Sequence, residues 1–172
     1  ALGIELQWVS ITGDDLPKLT EAFKRGMERS DIIFTTGGLG PTQDDLTREA
    51  IASALEETPV IQQEVVDDLE RYFAARGTSM PQHNIKQANL IPSAKWIINK
   101  NGTAPGWWTE RDGKIIICMP GPPGENRAMW EEQVEPELAN LIEDEVTITR
   151  NIKTMGMSEG AVDEVISEFF GI

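Results

Sequence analysis

The chain has 172 residues, enough for one domain with a substantial core, or one domain and a piece of another. Its 29 acidic and 15 basic residues give a formal net charge of −14, so nucleic acid is a poor candidate partner, although backbone N–H groups can still bind a phosphate locally. The single cysteine, Cys118, excludes an intrachain disulfide, and no apolar run reaches the ~18 residues of a membrane span. The sequence therefore predicts a cytoplasmic protein that does not bind membranes, with Cys118 buried in its core.

The first part of the chain alternates strand-like and helix-like segments. Ile4–Ile11 alternates apolar and polar side chains, which is typical of a half-buried strand. Leu16–Arg29 spaces its apolar residues three or four apart, as on one helix face, and the aspartate pair before it supplies a cap. Ile32–Thr36 is a short strand of the buried type, and Leu46–Leu55 has the pattern of a second helix. Strand, glycine turn and helix in this order predict an α/β fold with a mostly parallel sheet covered by helices.

The middle of the chain predicts a third helix followed by a β-hairpin. Gln62–Arg76 carries an apolar helix face and ends beside Gly77, a residue suited to a helix C-terminus. A strand is predicted at Trp96–Ile98. Two further strands, Trp107–Thr109 and Lys114–Met119, flank an Asp-Gly dipeptide, which favours a tight hairpin turn.

The last part of the chain predicts a long helix and then a change of character. Glu125–Ile142 has an apolar helix face and closes a first domain, which is expected to cover residues 1–143. Val146–Ile152 alternates like a strand, and Ser158–Phe170 has the pattern of a helix capped by its serine. Residues 144–172 are therefore expected to begin a second, small α+β segment.

The strongest chemical signal is the glycine-rich segment Thr36–Asp45. Its three glycines follow a predicted strand, so the backbone can turn tightly and approach a ligand without Cβ collisions. If the next helix begins near Asp44, its free N–H groups face the turn and favour an anion there. Thr36 and Thr42 add hydroxyl donors. A plain tight turn, with Asp44 as the helix cap, is the competing interpretation.

The adjacent carboxylates of Asp44 and Asp45 strengthen the chemical interpretation. Two carboxylates beside a phosphate site can hold a divalent cation, which bridges carboxylate and phosphate oxygens. One of them can instead act as a general base, or polarise a water for attack on a phosphoanhydride. Helix capping accounts for one aspartate only, and Asp44 is the better cap. Asp45 is therefore the favoured catalytic and metal-binding residue.

Two further loops have the same glycine-rich character. Asn101–Gly106 and Pro120–Glu125 each follow or join predicted strands. In an open α/β sheet, ligands bind at the carboxyl ends of the strands, where such loops gather. Asp14 follows the first predicted strand, so it is expected near the same pocket. The three loops together predict one pocket for a small phosphorylated molecule.

The order of these motifs resembles a known family. Thr36–Ala50, with its Gly-Gly-Leu-Gly-Pro-Thr-Gln-Asp-Asp core, looks like the signature of the molybdopterin-binding-like domain, and more narrowly of the amino-terminal domain of the CinA competence/damage-inducible family. Gly77–Leu90, Gly102–Gly106 and Met119–Glu125 match further motifs of that family in the expected order. The resemblance extends over residues 3–140.

The resemblance implies a three-layer α/β/α fold, a homo-oligomer, and hydrolysis of ADP-ribose to AMP and ribose 5-phosphate with a divalent cation such as Mg²⁺, Co²⁺ or Ni²⁺. Relatives in the wider superfamily bind molybdopterin, so binding of a molybdopterin-like or nucleotide ligand without turnover is the alternative. By position, Asp45 takes the catalytic and metal-associated role, with Asp44 beside it. The residues implied for the ligand pocket are Thr36, Gly37, Gly38, Gly40, Thr42, Asp14, Lys86, Gly102, Thr103, Pro105, Gly106, Gly121, Pro122 and Pro123.

Family members normally begin with a strand, a Gly-Asp-Glu loop and a helix, and the sequence is expected to start after these elements. The family's carboxy-terminal amidohydrolase domain is expected to lie outside it as well, so deamidation of pyridine nucleotides is not predicted. Three functions stay open from the sequence: hydrolysis, ligand binding without turnover, and a purely structural role in oligomerisation.

Overall fold

The structure, a computed structural model, describes residues 2–141 and 152–170. The chain forms two compact units, Glu5–Glu143 and a smaller one made of Ala1–Ile4 with Asp144–Ile172. The strand predicted at Val146–Ile152 lies outside the described residues except for its last position, so it stays a prediction. Among the helices that are described, none is long and apolar enough to cross a membrane.

The described residues contain six strands and six α-helices. The strands are β1 (Ile32–Thr36), β2 (Val60–Ile61), β3 (Asn89–Leu90), β4 (Ala94–Ile97), β5 (Gly106–Arg111) and β6 (Lys114–Met119). The helices are α1 (Leu16–Arg29), α2 (Thr47–Leu55), α3 (Gln63–Ala74), α4 (Pro123–Met129), α5 (Glu135–Leu141) and, in the smaller unit, α6 (Glu159–Phe170). A 3₁₀ helix spans Gln82–Ala88, and a π-helical turn spans Trp130–Val134.

The central sheet of the larger unit has four strands in the order β1, β6, β5, β4. β1 runs parallel to β6, with Ile32 opposite Ile115 and Thr36 opposite Met119, and the other two pairs are antiparallel. β2 and β3 form a separate antiparallel pair. The α/β class is thus confirmed, but the sheet is mixed in the described residues, whereas the sequence predicts a mostly parallel one.

The predicted hairpin is present between β5 and β6. Asp112 and Gly113 form its two-residue turn with φ angles of 52° and 75°. Two successive positive φ angles give a turn whose twist matches that of the flanking strands, which is why Asp-Gly is favoured there. Trp107 is paired with Cys118 across the hairpin, and both residues are fully buried, as predicted for Cys118.

Helices cover both faces of the sheet and make three layers. Trp107 and Ile116 point to one face, where they share a core with α1, α2 and α3. The next residues along each strand point to the opposite face. There the ring of Phe34 meets Trp130 edge to face, with centroids 5.5 Å apart, and Leu138 of α5 is buried.

The long helix after β6 contains a π-helical turn that the sequence pattern does not predict. Pro136, near the start of α5, has no N–H group, and its ring crowds the carbonyl four residues earlier. A wider turn at Trp130–Val134 relieves this conflict. Because the turn holds an extra residue, Met129 and Leu138 still share the buried side of the helix.

The strand predicted at Ile4–Ile11 is wrong, because these residues form no strand in the structure. Their apolar side chains face solvent, with Leu6 79% and Ile11 98% exposed. A strand is stable only when a neighbour pairs with its backbone N–H and C=O groups, and no strand of the described ranges pairs with this segment. The Trp8 ring instead lies 4.5 Å from the guanidinium carbon of Arg29.

The structure shows which residues cap α1 and α6 and how far β1 is buried. The carboxylate of Asp15 accepts the N–H of Lys18 at 3.0 Å, so Asp15 rather than Asp14 caps α1. In the smaller unit, Ser158 caps α6 as predicted, accepting the N–H of Ala161 at 3.3 Å. β1 lies at its predicted position but is only half-buried, since β6 is the one described strand that pairs with it.

Candidate functional site

Three loops leave the sheet at the same edge. β1 and β6 are parallel, so both end there, and β4 also ends there because Ile97 is paired with Gly106, the first residue of β5. The glycine loop (residues 37–46) follows β1, the β4–β5 loop spans residues 98–105, and the β6–α4 loop spans residues 120–122. The strand order therefore gathers the three predicted loops along one edge of the sheet.

The glycine loop and the β6–α4 loop are in direct contact. The N–H of Gly37 donates to the carbonyl of Met119 at 2.9 Å. A Cβ atom built on Gly121 would lie 3.6 Å from the Cα of Gly37, so the two backbones run side by side. Pro122 and Pro123 continue directly into the first turn of α4.

The β4–β5 loop is tied to α4 through Glu125. The Asn99 side-chain amide donates to the carboxylate of Glu125 at 2.6 Å and to the carbonyl of Ala104 at 2.9 Å. Gly102 lies under the same carboxylate, and any Cβ atom at this position would collide with it. Two other residues of the loop, Thr103 and Pro105, line a depression beside α3.

Thr47 and Arg48, at the first turn of α2, hold the start of the glycine loop. The Thr47 hydroxyl donates to the carbonyl of Gly37 at 2.8 Å, and its N–H donates to the carbonyl of Gly38 at 3.2 Å. Gly38 has a φ of 67°, and a Cβ atom there would collide with the Thr47 hydroxyl. This position therefore requires glycine for both its backbone angle and its close approach.

Arg48 is a buried cation directly beneath the loop. It is only 2% exposed, and its two terminal nitrogens donate to the carbonyls of Leu39 and Gly40 at 2.7 and 2.6 Å. Burial lowers the pKa of Arg48, while the nearby Glu49 and Asp45 charges act in the opposite direction. The guanidinium nonetheless stays charged, because the ordinary pKa of arginine is so high.

The 3₁₀ helix holds the other half of the loop. The ammonium group of Lys86 donates to the carbonyls of Thr42 at 2.8 Å and Asp45 at 2.7 Å, and lies 3.2 Å from the carboxylate of Glu49. The buried amide of Gln87 donates to the carbonyl of Leu39 at 3.2 Å. Lys86 thus supports the loop from below, and direct contact between Lys86 and a ligand stays a prediction.

The inward carbonyls turn backbone N–H groups of the loop outward. In a trans peptide the N–H points opposite to the C=O, and the described residues contain no cis peptide. The carbonyls of residues 37, 38, 39, 40, 42 and 45 all accept hydrogen bonds from α2 or the 3₁₀ helix. We define the donor face of the loop by the N–H groups of Gly38, Gln43 and Leu46, which follow these carbonyls and belong to residues that are not buried, while the N–H of Gly40 is bonded to the Asp45 carboxylate. Outward N–H groups of a loop can bind an anion.

Asp44 and Asp45 converge on one hydroxyl group. Oγ1 of Thr42 lies 2.5 Å from an oxygen of each carboxylate, and the Thr42 N–H also donates to Asp45 at 3.0 Å. Asp44 is not the helix cap predicted from the sequence, because α2 begins at Thr47 after Leu46 and has no side-chain cap. The tight turn places both aspartates at its outer rim instead.

Asp45 is held in its ionised form. Partial burial raises its pKa, but the hydroxyl and N–H of Thr42, the N–H of Gly40 and the charge of Arg48 together bring the pKa below its usual range. The Thr42 hydroxyl has only one proton to donate, so only one of the two carboxylates can accept its hydrogen bond at any moment. Two negative groups at one hydroxyl attract a cation.

The carboxylate pair fits one class of metal ion. In the described parts of the chain, no three or more His, Cys, Asp or Glu side chains are grouped to hold a metal. Zinc sites need three or four such ligands, whereas Mg²⁺ is commonly held by one or two carboxylates together with substrate phosphates and water. Asp44 and Asp45 are carboxylates of the kind that Mg²⁺ accepts, and metal binding at this pair stays a prediction.

Two predicted pocket residues make no side-chain hydrogen bond with the glycine loop in the part of the chain that the structure describes. Thr36 is exposed and, by its register with Met119, points to the sheet face covered by α4. Asp14 makes no hydrogen bond or ion pair with the glycine loop among the described residues, and its place in the pocket stays a prediction. The sequence reasoning missed Arg48 and Gln87. A charged residue among the apolar residues of α2 is the sequence feature that could have indicated Arg48.

The fold and the loops define an α/β domain with a glycine loop at one edge of a mixed sheet. The family described as "Probable molybdopterin binding domain" matches residues 1–140. A CinA-like protein of Thermomicrobium roseum is 47% identical over 168 residues, which cover 98% of this chain and 41% of the relative. A CinA-like protein of Deinococcus radiodurans is 43% identical over 170 residues, which cover 96% of this chain and 42% of the relative.

A solved structure agrees with these relatives. The crystal structure of the protein CinA from Thermoplasma acidophilum matches with a TM-score of 0.67 and 32% identity, over 73% of each chain. The chain therefore belongs to the molybdopterin-binding domain family, in its CinA branch. It spans about two-fifths of the length of the curated relatives it matches.

Proposed function

We propose that this domain hydrolyses the phosphoanhydride of a nucleotide sugar such as ADP-ribose, with a divalent cation. The observation that carries the proposal is the convergence of Asp44 and Asp45 on the Thr42 hydroxyl, at the rim of the donor face. A phosphoanhydride brings two negative phosphates, which suit N–H donors, and a cation, which suits the carboxylates.

The reaction adds one water molecule across the P–O–P bond. The water oxygen bonds to one phosphorus, and the bridging oxygen leaves with the other, giving AMP and ribose 5-phosphate. The protons of the water pass to the solvent and the product phosphates. The donor face would hold non-bridging phosphate oxygens while negative charge shifts to the leaving oxygen, which is the charge that preorganised N–H groups stabilise.

Asp45 is better suited to bind a cation than to remove a proton. Its pKa is below the usual range, so it is ionised at neutral pH but accepts a proton only weakly. Asp44 and Asp45 would hold a divalent cation, which would supply positive charge to offset the negative charge of the phosphates. Asp45 would position the cation next to the ligand, while the hydrogen bond from Thr42 fixes the direction of the Asp45 carboxylate.

Incubation with ADP-ribose and MgCl₂ or CoCl₂, followed by chromatographic measurement of AMP and ribose 5-phosphate, tests the proposal. Asp45→Asn should lower kcat at least ~100-fold, the scale of losing one group that stabilises the transition state. Asp67→Asn is the matched control, because this exposed aspartate of α3 accepts a hydrogen bond from Gln63 and none from the glycine loop in the described residues. Product formation at background level with every cation tested would remove the hydrolase proposal.

Binding of a molybdopterin-like or nucleotide ligand without turnover is the second candidate. The observation in its favour is that only two carboxylates converge, with no third acidic, histidine or cysteine ligand grouped with them in the described residues. On this reading, Asp45→Ala leaves the affinity for AMP largely intact in calorimetry, and no product forms. The hydrolase reading expects the same substitution to abolish turnover.

A further inference from the structure

The outer half of the glycine loop contains a turn, residues Thr42–Asp45, that no backbone hydrogen bond closes; this segment is the rim turn. In the part of the chain that the structure describes, none of its four residues makes a backbone–backbone hydrogen bond. Inside the turn, the Asp45 carboxylate accepts the N–H and the hydroxyl of Thr42. A turn without its own backbone bond takes its shape from the side chains that bind its polar groups.

One side chain holds both ends of the rim turn. The ammonium group of Lys86 donates to the carbonyl of Thr42, the first residue of the turn, at 2.8 Å, and to the carbonyl of Asp45, the last, at 2.7 Å. The 3₁₀ helix that carries Lys86 is itself anchored to the loop, since the buried amide of Gln87 donates to the carbonyl of Leu39. The ammonium group therefore decides how the two ends of the turn are directed.

The same two bonds turn two N–H groups of the donor face outward. In a trans peptide, the N–H of Gln43 points opposite to the Thr42 carbonyl, and the N–H of Leu46 points opposite to the Asp45 carbonyl. Neither N–H has a backbone acceptor among the described residues, and neither residue is buried. Lys86 thus orients two of the three groups that define the donor face.

The charge of Lys86 is already matched by a neighbouring anion. The ammonium group lies 3.2 Å from the carboxylate of Glu49, and two of its three N–H donors are used by the carbonyls. The Lys86 side chain is only 23% exposed. A ligand on the outer side of these peptides meets their N–H groups and not the ammonium group.

We infer that Lys86 is a positioning residue of the candidate site: by holding both ends of the rim turn, it orients the N–H groups of Gln43 and Leu46 toward an anionic ligand. It does not contact the ligand. The carboxylates of Asp44 and Asp45 belong to the same turn, so the ammonium group also fixes where they stand. This inference rests on the donor face of the proposed function but does not require hydrolysis.

A charge-balanced pair of substitutions separates positioning from charge. Replacing Lys86 alone would leave Glu49 unpaired, with one carboxylate oxygen already buried without a hydrogen-bond partner. Lys86→Met/Glu49→Gln removes the bonds to the carbonyls and keeps the local net charge. Glu49→Gln alone keeps these bonds and changes the charge. Lys95→Met is the matched control, because this exposed lysine of β4 lies 3.9 Å from Glu110, away from the glycine loop.

The probe is inorganic pyrophosphate without metal, and calorimetry gives its Kd and the number of sites. We expect Lys86→Met/Glu49→Gln to bind it at least ~10-fold more weakly, the scale of losing hydrogen bonds from a charged donor, with the number of sites unchanged. Glu49→Gln should bind it at least as tightly as the unmodified protein. Lys95→Met should leave the Kd unchanged.

Backbone NMR order parameters of the ligand-free protein distinguish positioning from direct contact. In the double variant, those of Gln43 and Leu46 should fall from the ~0.85 of rigid backbone toward ~0.6, while those of β5 and β6 stay as they are. A weaker Kd with unchanged order parameters would mean that Lys86 contacts the ligand, and would overturn the inference. An equal loss of affinity in Glu49→Gln would overturn it as well. A merely structural role would lower the number of active sites and leave the Kd of the remainder unchanged.

Chemical rescue gives a second test of the same residue. In Lys86→Cys, reaction of the folded protein with 2-bromoethylamine displaces bromide by the new sulfur and rebuilds a side chain of about lysine length with a terminal ammonium group. Cys118 is fully buried and is therefore spared. Alkylation should restore both the Kd and the order parameters, and no recovery would contradict the inference. If the double variant does not fold, the two forms of Lys86→Cys decide the question.

The outcomes also separate this inference from the proposed function. Pyrophosphate binding that depends on Lys86, without any hydrolysis of ADP-ribose, would remove the function and leave Lys86 in its role. Hydrolysis with unchanged Kd and unchanged order parameters in the double variant would remove the inference and leave the function. No pyrophosphate binding by the unmodified protein would overturn the inference directly.

Discussion

The carboxylate of Asp45 accepts two hydrogen bonds from Thr42, 3.0 Å from its backbone nitrogen and 2.5 Å from Oγ1. Thr42→Val should remove the second bond and keep the first. The pKa of Asp45 is then expected to rise toward its ordinary value, because the side-chain bond is the largest of the contributions that lower it. NMR titration of the side-chain carboxyl carbons measures the shift, with Thr12→Val as the control. An unchanged Asp45 titration would contradict this account.

The acid stability of the domain should depend on Asp45. Its pKa is lowered in the folded state, so the contribution of Asp45 to folding is present above the unfolded pKa and is lost as pH falls through the folded pKa. The free energy of unfolding, measured in urea from pH 5 down to pH 2, should therefore fall less steeply for Asp45→Asn than for the unmodified protein. The pKa of Glu57 is also lowered, by hydrogen bonds from Ser93 and Arg111 that outweigh its partial burial. Glu57→Gln should therefore reduce the loss of stability in acid independently of Asp45.

The glycines of the loop should differ in how they tolerate alanine. Gly37 has a φ of 90° with open space where a Cβ atom would lie, so Gly37→Ala should cost only the backbone strain, ~1–2 kcal/mol. Gly38→Ala adds a collision with the Thr47 hydroxyl and should cost more. Gly13→Ala, with open space and no positive φ, should lie within ~0.5 kcal/mol of the unmodified protein. Equal losses at Gly37 and Gly38 in urea unfolding would show that Thr47 moves aside.

The single cysteine should report global unfolding. Burial raises the pKa of the Cys118 thiol to about 12, so the thiolate is scarce at pH 8 and no reagent reaches it in the folded state. Labelling with a thiol-reactive dye at pH 8 should be negligible in buffer and should rise along the urea unfolding curve. Rapid labelling in buffer would mean that the β5–β6 hairpin opens locally.

Local pattern predicts most of the elements of this fold. The positions of α1, α2, α3 and the β5–β6 hairpin follow from helix periodicity, the Asp-Gly turn and glycine at a helix end, which are interactions between residues close in sequence. The convergence of the glycine loop with the other two loops follows from the expectation that strand ends share one edge. These parts of the site are accessible from sequence.

Features that depend on distant partners are not accessible in the same way. Ile4–Ile11 has the alternation of a strand, but a strand forms only against a neighbour, and alternation does not say whether one is present. The burial of Arg48 is contrary to the usual exposure of arginine and becomes intelligible only when the loop carbonyls are seen above it. The sequence pattern predicts a start of α2 near Asp44, whereas the helix begins at Thr47, so Asp44 does not cap it.

The support of the glycine loop by Thr47 and Arg48 makes ligand binding and helix stability one equilibrium. Both side chains stand on the first turn of α2, so the loop keeps its shape only while that turn is wound. By thermodynamic linkage, any ligand that favours the ordered loop also protects the turn from fraying, and a substitution that strengthens the turn raises affinity to the extent that the turn is frayed in the free protein. Affinity in this protein can therefore be adjusted through Ser53, the exposed position of α2, without altering a residue that the ligand touches.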